Sequence, residues 1–146
     1  MTHEPNNPLD FPHVAQASWD VELYRENVLD HYHEPHNVGA MEDATFHHHE
    51  LNPSCGDTIE LFVKLDNGEV RDVTFVGQGC AISQAAVSML TDRVKGLTES
   101  ELRALTPEDI FTLLGFPVGM TRLRCALLGL KTLQVGLANY QKTTQL

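Results

Sequence analysis

No run in this 146-residue chain comes near the ~20 consecutive apolar residues that a helix needs to cross a bilayer. The opening Met1-Thr2-His3-Glu4-Pro5 also lacks the basic start and apolar stretch of a secretory signal. The expectation is a soluble, cytoplasmic protein with no membrane partner. Cysteine is scarce. Cys55, Cys80 and Cys125 are three, an odd number that cannot all pair with one another. A reducing compartment would keep them as thiols in any case, so a disulfide scaffold is excluded and metal or sulfur chemistry is left. Positive charge is scarce too: 10 basic residues against 20 acidic ones give a net charge of -10. That is the opposite of the dense basic surface that phosphate-backbone binding requires, so nucleic acid is not expected as a partner. Acidic residues are missing altogether after Asp109, which leaves the first 109 residues at -14 and the remainder at +4. A solvated acidic face explains this asymmetry as well as a charged partner does.

What the chain does have is enough apolar content, 42%, to bury the core of one compact domain without staples. Residues 1–17 scatter Pro5, Pro8 and Pro12 among Asn6 and Asn7 with no period that would bury a face. They read as a mobile tail ahead of a single domain at 18–146. From Trp19, the residues Val21, Tyr24, Val28 and Tyr32 recur at helical spacing until Glu34-Pro35-His36-Asn37-Val38-Gly39 breaks the pattern. Three segments rich in β-formers follow, Ala44 to Leu51, Thr58 to Leu65 and Val70 to Val76, the last two joined by Asp66-Asn67-Gly68-Glu69. Asn-Gly between such runs signals a hairpin, because both central positions tolerate positive φ. A small antiparallel sheet is expected.

After Gly77-Gln78-Gly79-Cys80 the period turns helical, with Ile82, Ala85, Ala86, Met89 and Leu90 on one face before Gly96. Thr98 to Leu105 and Pro107 to Leu114 read as short helices, the second capped by Thr106 with Pro107 in its first turn. A last helix runs from about Thr121 to Tyr140, with a core stripe of Leu123, Leu127, Leu130, Leu133 and Leu137.

Three places carry chemistry. In Asn52-Pro53-Ser54-Cys55-Gly56-Asp57, a turn by composition, Gly56 permits a backbone that aims Cys55 and Asp57 at one point. Cys80 stands at the start of a helix, where unpaired N–H groups and the helix dipole favour an anion. Cys125 lies roughly 130° from the centre of the leucine stripe, so it is not simply a core residue. Arg122 and Arg124 beside it are expected to favour its thiolate. Three sulfurs and one carboxylate make a four-coordinate set for zinc or for the edge of a small iron–sulfur cluster. The spacings of 25 and 45 residues are not those of a zinc finger, and spacing alone does not bring the three segments together. The histidines of His47-His48-His49 and the trio His31, His33 and His36 suggest a second site. In a strand, though, at most two of the run share a face, and an exposed strand or loop is the simpler account.

Asn52-Pro53-Ser54-Cys55-Gly56-Asp57, Gly77-Gln78-Gly79-Cys80-Ala81-Ile82-Ser83 and Arg122-Leu123-Arg124-Cys125 resemble the three signature blocks of the IscU/SufU/NifU N-terminal family, in order and near its spacings. Leu23 to Tyr32 and Pro35-His36-Asn37-Val38-Gly39 match its opening, so the resemblance covers about residues 19–140. It implies a SufE/IscU-like α+β fold, a three-stranded antiparallel sheet packed against several helices, with a metal site at one tip. It also implies a function, that of accepting sulfur as persulfide from a cysteine desulfurase and helping to build iron–sulfur clusters or pass them to apo-proteins. By the same resemblance Cys55, Cys80 and Cys125 are sulfur ligands and Asp57 the oxygen ligand. They would hold zinc or iron, or transiently a 2Fe-2S cluster, with Cys55 as sulfur acceptor.

Two features depart from the family's branches. The scaffold branch usually has a histidine before the last cysteine and a Leu-Pro-Pro-Val-Lys stretch, where this chain has Arg124 and Phe116-Pro117-Val118-Gly119-Met120. The zinc-containing sulfur-transfer branch generally carries an insertion of about 20 residues before the last block, which the 45-residue spacing from Cys80 to Cys125 does not accommodate. The competing readings are a structural zinc module that mediates protein contacts and a zinc hydrolase. A hydrolase needs a general base near an open metal position, and no Glu or His stands in the three blocks. A purely structural zinc would be served better by a fourth cysteine than by Asp57, a comparatively weak ligand that suits a departing metal or cluster.

Overall fold

The structure, a computed structural model, describes residues 18–115 and 118–144, with side chains from Arg25 onward. The expected tail at 1–17 and the pair Phe116-Pro117 lie outside the described residues. The chain runs α1 (Ser18–His33), β1 (Phe46–Asn52), β2 (Asp57–Asp66), β3 (Glu69–Gln78), α2 (Ala81–Val94), α3 (Glu99–Ala104), α4 (Pro107–Leu114), a 3-10 turn (Met120–Arg122) and α5 (Leu123–Thr144). The strands form an antiparallel sheet in the order β1-β2-β3, so the architecture is the expected α+β one.

Local chemistry explains most element boundaries. Asp66 pairs with Glu69 across the hairpin, and Asn67 (φ 54°) and Gly68 (φ 81°) supply the two positive φ values of a turn whose twist matches the strands. Thr98 and Glu101 exchange side-chain-to-backbone hydrogen bonds at the start of α3. At α4 the Asp109 carboxylate accepts from the Thr106 N–H at 2.8 Å, and Pro107 opens the helix where its missing N–H has no partner to lose.

The sheet buries one face under α2 and α5. Ile59, Leu61 and Val63 of β2 and Val73 and Phe75 of β3 face this core, as period-2 alternation requires. Each fully buried aliphatic side chain there stabilises the fold by about 1.5–3 kcal/mol. Every residue of α2 from Ser83 to Thr91 is buried, because α1, α4, α5 and β3 surround it. Its buried hydroxyls have partners. Thr91 Oγ1 donates to the Ser88 carbonyl at 2.6 Å and accepts from Asn37 Nδ2 at 2.9 Å.

Two expectations need correction. Tyr32, placed on the inner stripe of the first helix, is 39% exposed, while Val28 is buried. In α5, Leu123 and Leu127 are only half-buried, and the buried set is Cys125, Ala126, Leu128, Leu130, Leu133 and Leu137 with small residues between them. The start of this helix is wedged between the sheet tip and α2, so it buries a wider and rotated arc than a single stripe predicts.

Topology places the site. Asn52 pairs with Asp57 across the β1–β2 turn, and Thr58 pairs with Gln78 at the end of β3. The start of β2, the end of β3 and the first residue before α2 therefore share one tip of the sheet, and α5 brings its first turn to the same place. Among the described residues no helix is long and apolar enough to cross a membrane.

Candidate metal centre

The turn that carries Cys55 is built by Asn52. Its side-chain oxygen accepts from the Ser54 N–H at 3.2 Å, its carbonyl accepts from the Gly56 N–H at 2.8 Å, and Gly56 takes a φ of 77°. This folds Pro53 to Gly56 into a tight loop that lifts Cys55 into solvent and turns Asp57, 3% exposed, inward. By composition Asn52 only starts a turn. In the fold it also serves the sulfurs, since its buried Nδ2 donates to Cys55 Sγ at 3.1 Å and lies 3.9 Å from Cys125 Sγ. The signal for this role, an Asn one step before Pro in a cysteine-bearing turn, was present but pointed to backbone only.

Cys80 caps the N-terminus of α2 in an extended conformation, φ -72° and ψ 165°. Its backbone N–H donates to Asp57 Oδ1 at 3.2 Å, and its thiol lies 3.5 Å from Asp57 Oδ2. Gly79, at φ 154°, makes this approach possible, since a Cβ there would overlap the Asp57 carboxylate. Cys125 reaches the same point from α5, its Sγ 3.4 Å from Cys55 Sγ. That is far beyond a disulfide bond length of about 2.05 Å, and all three cysteines are free thiols. Of the four residues singled out in the sequence, donor atoms of Cys55, Asp57 and Cys125 lie within 4.8 Å of one another, and Cys80 is brought beside them through Asp57.

The electrostatics correct one expectation. Arg122 and Arg124 do not set the protonation of Cys125. Burial, at 2% exposure, and the adjoining Cys55, Asp57 and Cys80 push its thiol well up. The Arg124 guanidinium instead lies 3.4 Å from Ser54 Oγ, on the outer side of the turn. Asp57 goes the other way. Burial alone would raise its carboxyl, but hydrogen bonds from the Cys55 and Cys125 thiols and from Cys80 outweigh that and hold it below the usual carboxylate range.

The donor set fits a tetrahedral ion. With Zn–S near 2.3 Å and Zn–O near 2.0 Å, tetrahedral angles require sulfurs about 3.8 Å apart and a sulfur–oxygen separation of about 3.5 Å. The observed Cys55–Cys125 and Cys80–Asp57 separations are 3.4 Å and 3.5 Å. Cys55 faces a cavity of about 320 Å³ lined by Asn52, Ser54, Met120, Thr121, Arg124 and Cys125. The histidine run has no comparable arrangement. His47 lies beside Glu60 at 3.1 Å and His48 beside Glu50 at 2.6 Å, and among the described residues none of His47, His48 and His49 enters a cluster of three metal donors.

Comparison with known proteins places this geometry. The profile of the NifU-like N terminal domain matches residues 23–146. The chain is 40% identical over 119 residues to the iron–sulfur cluster assembly scaffold protein IscU of Aquifex aeolicus, covering 80% of this chain and 75% of that one. It is 36% identical over 133 residues to the zinc-dependent sulfurtransferase SufU of Bacillus subtilis, covering 80% of this chain and 90% of that one. Among solved structures, a candidate iron–sulfur cluster assembly scaffold of the SUF system from Fervidobacterium islandicum superimposes with a TM-score of 0.67 at 27% identity, covering 77% of this chain and 94% of that one.

Proposed function

Because the chain belongs to the family of the NifU-like N terminal domain, we propose that it is an iron–sulfur cluster assembly protein whose working centre is Cys55, Asp57, Cys80 and Cys125. Residues 18–146 are the unit that carries this function. One observation supports the reading above the others: at the sheet tip the Cys55 and Cys125 sulfurs lie 3.4 Å apart, Asp57 joins them in one cluster and holds the Cys80 thiol at 3.5 Å, and of the three thiols Cys55 is the exposed one. A structural zinc module has no use for an exposed ligand facing an open cavity, and among the described residues lining that cavity no Glu or His offers a hydrolase its base.

The chemistry follows from the differences among the three cysteines. Cys55 is the sulfur acceptor. Its thiolate attacks the terminal sulfur of a desulfurase persulfide, a new S–S bond forms at Cys55 as the donor's S–S bond breaks, and the donor leaves as a thiolate with no net change in electrons. Asn52 Nδ2, already directed at Cys55 Sγ, is a positioning donor for that sulfur anion. Cys80 and Cys125, anchored by α2 and α5, are holding ligands. A bound zinc ion would keep the thiols deprotonated and oriented. Iron and sulfide, or an assembled 2Fe-2S cluster, are cargo, and Asp57 as the one hard oxygen donor makes that cargo easier to release to apo-proteins.

Anaerobic reconstitution with iron, cysteine and a cysteine desulfurase tests the proposal. Visible sulfur-to-iron absorption that grows with sulfur delivery and disappears on transfer to an apo-ferredoxin is the expected result. A protein that keeps tightly bound zinc and neither accepts labelled sulfur nor forms a chromophore would overturn it in favour of the structural zinc module.

A further inference from the structure

Beyond the thiol centre, α1, the loop after it and α2 bring together one donor each. One nitrogen of His31, one nitrogen of His36 and one carboxylate oxygen of Asp92 lie within 4.8 Å of one another. We propose that these three residues form a second metal site, for a divalent first-row transition ion, distinct from the cysteine centre.

The arrangement is built from groups whose orientations are already fixed. The imidazole rings of His31 and His36 have centroids 4.3 Å apart, and His36 Nδ1 is 2.5 Å from Asp92 Oδ2. The other carboxylate oxygen of Asp92 accepts from Asn37 Nδ2 at 2.9 Å, and Asn37 is held in turn by Thr91 and by Lys95. His31 Nδ1 lies 2.7 Å from Ser88 Oγ, which also accepts from the His36 backbone N–H at 2.8 Å. His31 and Asp92 therefore each have an outer partner that sets their direction, as metal-ligating histidines and carboxylates ordinarily do, and the His36 backbone is tied to the same Ser88 hydroxyl.

Distances and charge agree with this assignment. Bonds of about 2.0–2.1 Å in a tetrahedral set require donors about 3.3 Å apart, so the three atoms need to shift by about an ångström at most to share an ion. Asp92 supplies a negative charge and Asp30 adds a second on the α1 side, against Arg93 in the last turn of α2 and Lys95 just after it. Two imidazoles and one carboxylate suit borderline ions such as zinc, cobalt, nickel or ferrous iron, not calcium or magnesium. A cavity of about 280 Å³ bordered by His31, Asp92 and Asn27 leaves room for water in the remaining positions. The site is separate from the first. Asp92 stands 12 residues along α2 from Cys80, about 18 Å at 1.5 Å per residue. An ion there would pin the loop after α1 to the end of α2.

Cobalt(II) titration of the full chain, anaerobic and with a non-coordinating reductant, tests the assignment. In a Cys55→Ser, Cys80→Ser, Cys125→Ser triple variant, cobalt is expected to bind with the weak visible bands of nitrogen and oxygen ligation and no sulfur charge-transfer band. Adding His36→Gln or Asp92→Asn, both on exposed side chains, should weaken that binding about tenfold or more. Adding His47→Gln and His49→Gln instead should leave it unchanged. No cobalt binding in the triple variant, or binding that follows His47 and His49, overturns the proposal. The His36→Gln single variant should keep the sulfur charge-transfer band of the cysteine centre, so failure of one site is distinguishable from failure of the other.

Discussion

Asp57 grips Cys80 through both of its oxygens: Oδ1 accepts the Cys80 backbone N–H at 3.2 Å, and Oδ2 lies 3.5 Å from the Cys80 thiol. The first residue of β2 is thereby tied to the cap of α2, and one carboxylate both builds the tip and offers it an oxygen donor. Asp57→Ala is expected to weaken zinc binding and, because a hard donor among soft sulfurs keeps cargo exchangeable, to slow the loss of an assembled cluster. Zinc competition with a chelator and absorbance decay after anaerobic loading measure the two effects. Equal decay rates in Asp57→Ala and wild type would remove the argument that the carboxylate makes the cluster labile.

Gly79 allows that grip. An alanine there would place its Cβ on the Asp57 carboxylate and would have to hold a φ of 154°. Gly79→Ala should therefore cost about ten- to a hundredfold in zinc affinity while Cys80 and Asp57 remain present. Isothermal titration reads this directly, and an unchanged affinity would show that the carboxylate does not need its observed position.

Cys55→Ser should lose acceptance of labelled sulfur from a desulfurase persulfide with the fold intact, since Cys55 is exposed and Cys125 is buried. Mass spectrometry of the alkylated protein locates the persulfide. Undiminished labelling in Cys55→Ser would move the acceptor role to Cys80 or Cys125.

Cys80→Ser and Cys125→Ser should each abolish stoichiometric zinc at the tip, because each removes one of the four proposed ligands. The raised Cys125 thiol sets the sign of the pH dependence. The thiol carries its proton in the metal-free chain, so zinc must displace it, and affinity rises with pH as protons are released. Titrations in buffers of different ionisation enthalpy report that release, and a pH-independent affinity would contradict it.

On the face of β1 that packs under α5, Glu50 is joined to His48 at 2.6 Å and to Lys131 of α5 at 3.7 Å. The His48 hydrogen bond first, and Lys131 against the opposing effect of burial, hold the Glu50 carboxyl below its ordinary 4.5. A depressed folded-state pKa means that this stabilisation is present above about 4.5 and is lost as pH falls through the lower folded value. Glu50→Gln should thus flatten the acid limb of stability below pH 4.5 relative to wild type. Urea unfolding across that range checks it.

Much of the framework was legible because its causes are local. The Asn67-Gly68 turn, the Thr106-Pro107 start of α4 and the handover from strand to helix at Cys80 depend on backbone preferences and caps that act within about four residues. The three motif blocks were equally legible, since each is a short run. Less legible was every property that depends on what a neighbouring element covers. The leucine spacing of α5 did not reveal that Cys125 is buried, nor that burial outweighs Arg122 and Arg124. The turn composition did not show that the Asn52 amide reaches the sulfurs.

The histidines divide along the same line. Alternation along β1 already kept His47, His48 and His49 from acting together. Nothing in the chain paired His31 and His36 with Asp92, more than 50 residues away, and His33, read as part of that trio, takes no part in the cluster. By itself the sequence determined the elements, the turns between them and the residues able to bind metal or sulfur, because those follow from short-range backbone preference and side-chain chemistry. Only the tertiary structure decided which donors meet, which thiol stays open and which is buried, because proximity, desolvation and the fields of distant charges arise when α2 and α5 close over the sheet.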